Sequence, residues 1–168
     1  YAKGRRELRR RAGEYLGAVH DVEFRKLNKE SAVQLHVQRK LNIVSALNWQ
    51  RALAKWKVEK HPVFLAWHGL EGEGNPLVKR TANRKAQIEI YADLFVEVER
   101  QWDALRKKNR NATALADANW EAIRRVLHAK GTPANVPESL AEEDRNSLLF
   151  GQRNKLQNLR SNLGKLAA

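Results

Sequence analysis

Residues 88–105 read IEIYADLFVEVERQWDAL. Ile88, Tyr91, Phe95, Val98, Trp102 and Leu105 follow one another at alternating intervals of three and four residues. At about 100° per residue, that spacing places all six on one side of a helix. Upstream, Asn75-Pro76 offers an N-cap followed by a proline at the first helical position. The expected helix therefore runs from residue 76 to about Asn109. Period-2 alternation is nearly absent from the rest of the chain, so the expected fold class is all-α.

Towards the N-terminus, Leu8, Ala12, Tyr15, Val19 and Val22 form a second stripe of the same kind, within one helix expected from Lys3 to about Asn28. Arg5, Arg6, Arg9, Arg10, Gly13, Gly17 and His20 fall on its other side. Glycine costs a helix interior about 0.5–1 kcal/mol relative to alanine. Gly13 and Gly17 therefore call for a reason: a close approach by another backbone or a phosphate strand supplies one, and the alternative is that Gly13 breaks the helix and leaves a floppy basic arm.

LNKES at 27–31 reads as a bend, followed by a helix expected from Ser31 to Lys60 and ended by His61-Pro62. Val33, Val37, Val44 and Leu47 make one apolar face of it, and Leu35, Trp49, Leu53 and Trp56 another. A helix apolar on two sides is sandwiched between neighbours, either within the chain or in an assembly. VFLAWHGL at 63–70 reads as a short buried helix or turn. A helix over about Thr113–Ala129 follows, then a linker, GTPANVP, at 131–137. Ser139 and Glu142 make a capping box for a last helix carrying Leu149, Leu156, Leu159, Leu163 and Leu166. The expected organisation is a basic helix-turn-helix extension over residues 1–60 and an antiparallel helical bundle over 62–168.

Charge narrows the function classes. The 168 residues hold 32 Lys/Arg and 19 Asp/Glu, a formal net charge of +13. Residues 1–60 alone hold fifteen of the basic and six of the acidic residues, so the surplus is concentrated in the first third of the chain. Such an excess implies a polyanionic partner. There is no cysteine, which excludes disulfides and thiolate metal sites. No apolar run approaches the ~18 residues of a membrane span, and the arginine-rich start lacks the apolar core of a secretory signal.

Catalytic patterns are sparse. The five histidines show no HExxH spacing, and GLEGEGNP at 69–76 has neither a Walker nor a dinucleotide spacing. Glu89, Asp93 and Glu97 share one helix face and are the thin candidate for a metal-dependent nuclease. The expectation is a protein that is not an enzyme and uses no cofactor or metal. Arg5, Arg6, Arg9 and Arg10 instead form a two-turn cluster of bidentate phosphate ligands. Arg39, Lys40, Arg51 and Lys55 extend the charge along the second helix. No Asn or Gln precedes Asn28 on the arginine helix, so binding is expected to follow backbone and shape with little sequence preference.

A basic, glycine-bearing helical start, AKGRR at 2–6, ahead of a compact helical bundle resembles the major capsid proteins of rod-shaped and filamentous archaeal viruses with double-stranded DNA genomes, of the rudivirus, lipothrixvirus and tristromavirus type. The resemblance implies N-terminal helices that wrap double-stranded DNA, held in the A form, and outer bundles that build a helical filament. Lys3, Arg5, Arg6, Arg9 and Arg10 would contact phosphates, with Gly13 and Gly17 at closest approach. Implied partners are DNA, further copies of the chain or a paralogous coat subunit, and in enveloped members a surrounding lipid layer. The implied location is the virion nucleocapsid, with the host cytoplasm before assembly. The second helix departs from that pattern by mixing charge with tryptophan. An RNA-binding structural subunit of a ribonucleoprotein is the alternative that the same basic helices fit.

Overall fold

The computed structural model describes residues 2–135, with side chains from Gly4 onward. Every regular element among them is helical: α1 (Ala2–Arg10), α2 (Ala12–Phe24), α3 (Lys29–Gln38), α4 (Ile43–Glu59), a 3-10 turn at Pro62–Phe64, α5 (Leu65–His68), α6 (Arg84–Lys108) and α7 (Ala118–His128). The fold is all-α with packed helices. The expected capping box at Ser139 and Glu142 and the last leucine-bearing helix lie outside the described residues.

Helix α6 carries the stripe that decides the class. Tyr91, Phe95 and Val98 are buried, and Ile88 packs against them at the edge of the core. Its start differs from expectation. Asn83, not Asn75, is the N-cap, and its side chain accepts from the Ala86 N–H at 3.1 Å. Asn75 is itself buried. Its Nδ2 donates to the Asn119 carbonyl at 2.8 Å and its Oδ1 accepts from the Leu77 N–H at 3.0 Å. A polar side chain removed from water must find such partners, and here one is the neighbouring Leu77 and the other lies across the fold at Asn119. Buried Gln87 ties down the lead-in to α6, accepting from Thr81 N–H at 3.1 Å and donating to the Lys79 carbonyl at 3.0 Å.

The first expected helix is interrupted at Arg11, between α1 and α2. The expected helix over 31–60 is two helices. Lys40 takes a left-handed conformation (φ 55°), and Asn42 then caps α4 by accepting from Ser45 N–H at 2.9 Å. The Tyr15 hydroxyl secures this turn by accepting from Asn42 N–H at 2.8 Å. The reading of 63–70 as a short buried helix matches α5 and the 3-10 turn before it, where Val63, Phe64, Leu65 and Trp67 are all buried.

Helix α2 packs on both α6 and α4. Ala12, Tyr15, Leu16, Ala18 and Val19 share one core with Trp49, Leu53, Phe64, Tyr91, Phe95, Val98, Ile123 and Leu127. The stripe of α2 and the Leu35, Trp49 and Leu53 side of residues 31–60 therefore face the helices that follow them, whereas Val33, Val37, Val44 and Leu47 lie outside this core and Val37 is exposed. Packing joins the expected 1–60 arm to the expected 62–168 bundle as far as residue 135. Trp49 is part of this core. Trp56 stacks on Phe64 at 4.8 Å between ring centroids, and Phe64 on Tyr91 at 5.3 Å. Such pairs add about 0.5–1.5 kcal/mol each beyond their burial.

Candidate nucleic-acid interface

The arginines of α1 do not form a single phosphate-facing row. Arg9 is largely covered and donates from Nε to Glu99 on α6 at 3.0 Å, and Glu99 is also paired with His128 of α7. Burial pushes the Glu99 carboxyl up. His128 and Arg9 together outweigh it and hold the group below its ordinary value. This three-membered junction ties α1, α6 and α7 together, so Arg9 acts in the fold. Arg10 is exposed and forms a bidentate pair with Glu7 on its own helix, at 2.6 and 3.1 Å. Arg5 is half-buried. Lys3 has its backbone in α1, and its side chain lies outside the described part.

Arg6 is the exposed arginine of this group that joins a larger cationic feature. It borders a hollow of about 560 Å³ together with Asp103, Arg106, Lys107 and Arg110. Four cations surround one carboxylate. The last turn of α6 supplies two of them, and positive side chains there also suit the negative end of the helix dipole. Arg106 is held in place by donating to the Ala112 carbonyl at 3.0 Å, with its guanidinium carbon 5.7 Å from the centre of the Trp102 ring. Sequence reasoning missed Arg106, Lys107 and Arg110. The signal was present as RKKNR at 106–110, four basic residues in five, masked by the larger surplus of charge near the N-terminus.

Gly13 and Gly17 have different surroundings. A Cβ on Gly13 would stand 2.5 Å from the Ala92 Cβ and 3.1 Å from its Cα. The close approach at Gly13 is thus made by another helix of the same chain. Among the described residues, a Cβ on Gly17 would meet no heavy atom within 4 Å, so their packing does not account for a glycine there.

Arg39 and Lys40 sit at the end of α3. The Arg39 side chain pairs with Asp21 at 2.5 Å, and both backbone carbonyls accept from Arg11. Arg11 in turn is clamped to Glu14, at 2.7 and 3.1 Å. Arg51 and Lys55 lie on the exposed side of α4. They border a second cleft, of about 400 Å³, with Asn48, Ala52, Trp56 and residues 130–133. The sequence-predicted cations are therefore dispersed: Arg6 at the α1–α6 hollow, Arg9 beside Glu99, Arg10 beside Glu7, Arg39 and Lys40 past the end of α3, and Arg51 and Lys55 at the α4 cleft.

The acidic face considered for metal chemistry does not converge. Glu97 is engaged with Arg100 and Gln101, at 2.7 to 3.1 Å. Among the described residues, no group of three or more His, Asp or Glu side chains is placed to hold a metal ion. No helix among them is long and apolar enough to cross a membrane. His61 serves the fold, its Nδ1 accepting from Val63 N–H at 3.2 Å. Comparison with known proteins finds no matching family, no matching curated protein and no matching solved structure.

Proposed function

We propose that this is a structural protein that coats double-stranded DNA through its phosphate backbone, without base specificity, in a helical assembly of the kind the capsid resemblance implies. The observation that carries the reading is the hollow in which Arg6, Arg106, Lys107 and Arg110 gather against a single carboxylate, Asp103. A run of phosphates with their counterions displaced is the partner that such a concentration of charge attracts. The net charge of +13 supplies the long-range attraction. The DNA-facing role moves from the whole arginine row of α1 to Arg6 with the last turn of α6, joined by exposed Arg10 and by the cations of α3 and α4. Lys3, Arg5 and Gly17 stay within this proposed surface.

The finer architecture belongs to the same proposal. Arg9 beside Glu99 and Gly13 beside Ala92 support an antiparallel course of the first helices along α6. The bend between α2 and α3, at residues 25–28, supports the helix-turn-helix read at the basic end. Repetition along a filament multiplies weak phosphate contacts into tight overall binding. A second coat subunit, a lipid envelope, A-form DNA and a place in the virion follow from the resemblance and stand or fall with it.

The test is to mix the purified protein with generic duplex DNA, image the product and record circular dichroism of the DNA. Regular filaments with an A-like spectrum are expected. Discrete particles on unchanged B-form DNA would overturn the coat reading in favour of a ribonucleoprotein subunit or another packaging protein. Retarded binding with strict dependence on one DNA sequence would overturn the backbone-only mode.

A further inference from the structure

The cleft on α4 has a chemistry that the α1–α6 hollow lacks. Its walls are Asn48, Arg51, Lys55 and Trp56 from α4 and Lys130, Gly131, Thr132 and Pro133 from the turn after α7. Three cations, an indole and a side-chain amide thus border one concavity, and no carboxylate is among the described residues that line it. A double-stranded helix presents phosphates and keeps its base faces stacked inside, so it would use the cations and leave the indole idle. An unstacked nucleotide uses all three: phosphate for the cations, a π-face for the indole and polar base edges for the amide. The size agrees as well, since a cleft of about 400 Å³ falls in the range of sites that enclose small organic ligands.

Contacts within the fold hold both walls in place. Trp56 is half-buried and stacked on Phe64 with the rings 6° from parallel, so its indole is held by the core. On the other side, Gly131 takes a left-handed φ of 85°, which a residue with a side chain adopts only with strain. Thr132 donates from both its backbone N–H and its hydroxyl to the Ala129 carbonyl, at 3.1 and 2.7 Å. Asn135 closes the turn by donating from Nδ2 to the His128 carbonyl at 2.7 Å. Lys130 is therefore carried on a fixed turn opposite the Arg51 and Lys55 side of α4. A pre-formed site avoids the ordering cost that a mobile loop would add to binding.

We infer that this cleft is a subsite for single-stranded nucleic acid, in which Arg51, Lys55 and Lys130 hold backbone phosphates and Trp56 contacts a base. The inference rests on the nucleic-acid reading for Arg51 and Lys55 but uses a part of the molecule separate from the α1–α6 hollow. In a coat protein, such a subsite would take the frayed end of the packaged duplex or a melted stretch of it.

The experiment measures binding of labelled oligothymidylate of about ten nucleotides, a length within the footprint of common single-strand binders. An abasic oligomer of equal length and a duplex of equal length are the comparison probes. R51Q/K55Q/K130Q changes three exposed side chains and should melt as the unmodified chain does. It is expected to bind oligothymidylate about tenfold or more weakly and to lower the log–log salt slope by about 2, because three single-strand phosphates are no longer neutralised. The unmodified chain should bind the abasic oligomer about tenfold more weakly than oligothymidylate, as removal of one base from an aromatic platform requires. Unchanged affinity and slope in the variant, or equal affinity for the abasic oligomer, would overturn the subsite. A protein that binds oligothymidylate through these residues yet binds no duplex would overturn the coat reading and leave the subsite standing. Duplex binding with no effect of the triple variant on oligothymidylate would do the reverse.

Discussion

Gly13 lies directly against Ala92, where α2 crosses α6. An added methyl group at Gly13 would stand 2.5 Å from the Ala92 Cβ, a distance that two carbon atoms do not tolerate without the helices moving apart. Overpacking of this kind costs about 1–3 kcal/mol. The gain in helix propensity from glycine to alanine returns at most about 1 kcal/mol. Gly13→Ala is therefore expected to lower the melting temperature by several degrees. Gly17→Ala, which meets no other heavy atom among the described residues, should raise stability by about 0.5–1 kcal/mol. Thermal melts of the two variants check this pair, and a rise in both would mean that the α2–α6 approach is looser than described.

The two sets of arginines should separate stability from binding. R6Q/R106Q/K107Q/R110Q removes the cations around the α1–α6 hollow. It should flatten the log–log salt dependence of duplex binding by about 3.5, at roughly 0.9 for each of the phosphates no longer neutralised. Arg9→Gln should leave that slope unchanged and reduce stability by about 1–3 kcal/mol, because the half-buried Glu99 is deprived of a charged partner. Titrations of each variant with duplex DNA at several salt concentrations, beside melts without DNA, read both effects. A slope that fell for Arg9→Gln and held for the quadruple variant would reverse the assignment.

Those pairs also show what was legible in the sequence. Periodicity alone located the buried sides of α2 and α6, since Tyr15, Val19, Tyr91, Phe95 and Val98 all lie in the core. The aromatic run over 63–70, read as a short buried helix or turn, forms the 3-10 turn and α5. The break at residues 39–42 was not legible, because it depends on a left-handed Lys40 and on Asn42 being fixed by Tyr15, a contact between residues far apart in the chain. The start of α6 was not legible for a related reason. Asn75-Pro76 carries a valid local helix signal, but the long-range bond to Asn119 gives its side chain other work. At the candidate site, composition indicated a polyanion partner but could not say which arginines were already neutralised. Glu99, ninety residues from Arg9, decides that.

Acid should expose the contribution of the carboxylate junctions. Glu121 is buried, accepts from Leu115 N–H at 3.0 Å, and pairs with Arg124 and, at 3.3 Å, Arg125. The bond to Arg124 is the chief cause that holds its carboxyl at about 2, against an ordinary 4.5. The folded value is depressed, so the stabilisation is complete above about 4.5 and is lost as pH falls towards 2. Glu99 acts in the same direction. Glu121→Gln is expected to cost about 1–3 kcal/mol near neutrality and to give a shallower fall in melting temperature through the acid range. Parallel acid limbs for the variant and the unmodified chain would remove Glu121 from the account.

Asn75 offers the sharpest test of the packing between the 62–78 region and α7. Its backbone N–H donates to the Pro62 carbonyl at 3.0 Å, its Nδ2 to the Asn119 carbonyl at 2.8 Å, and its Oδ1 accepts from Leu77 N–H at 3.0 Å. Three segments therefore meet at one buried amide. Asn75→Ala would leave a carbonyl and an N–H without their partners, at about 1–3 kcal/mol for each group left buried. Asn75→Asp keeps the acceptor for Leu77 but sets a carboxylate against the Asn119 carbonyl, where two acceptors face each other. Aspartate would be the better residue of the two at a helix N-cap. Chemical denaturation should accordingly rank the unmodified chain above both variants, with Asp no better than Ala. A clear advantage of Asp over Ala would point instead to a helix beginning at residue 76, and the long-range bond to Asn119 would have to be given up.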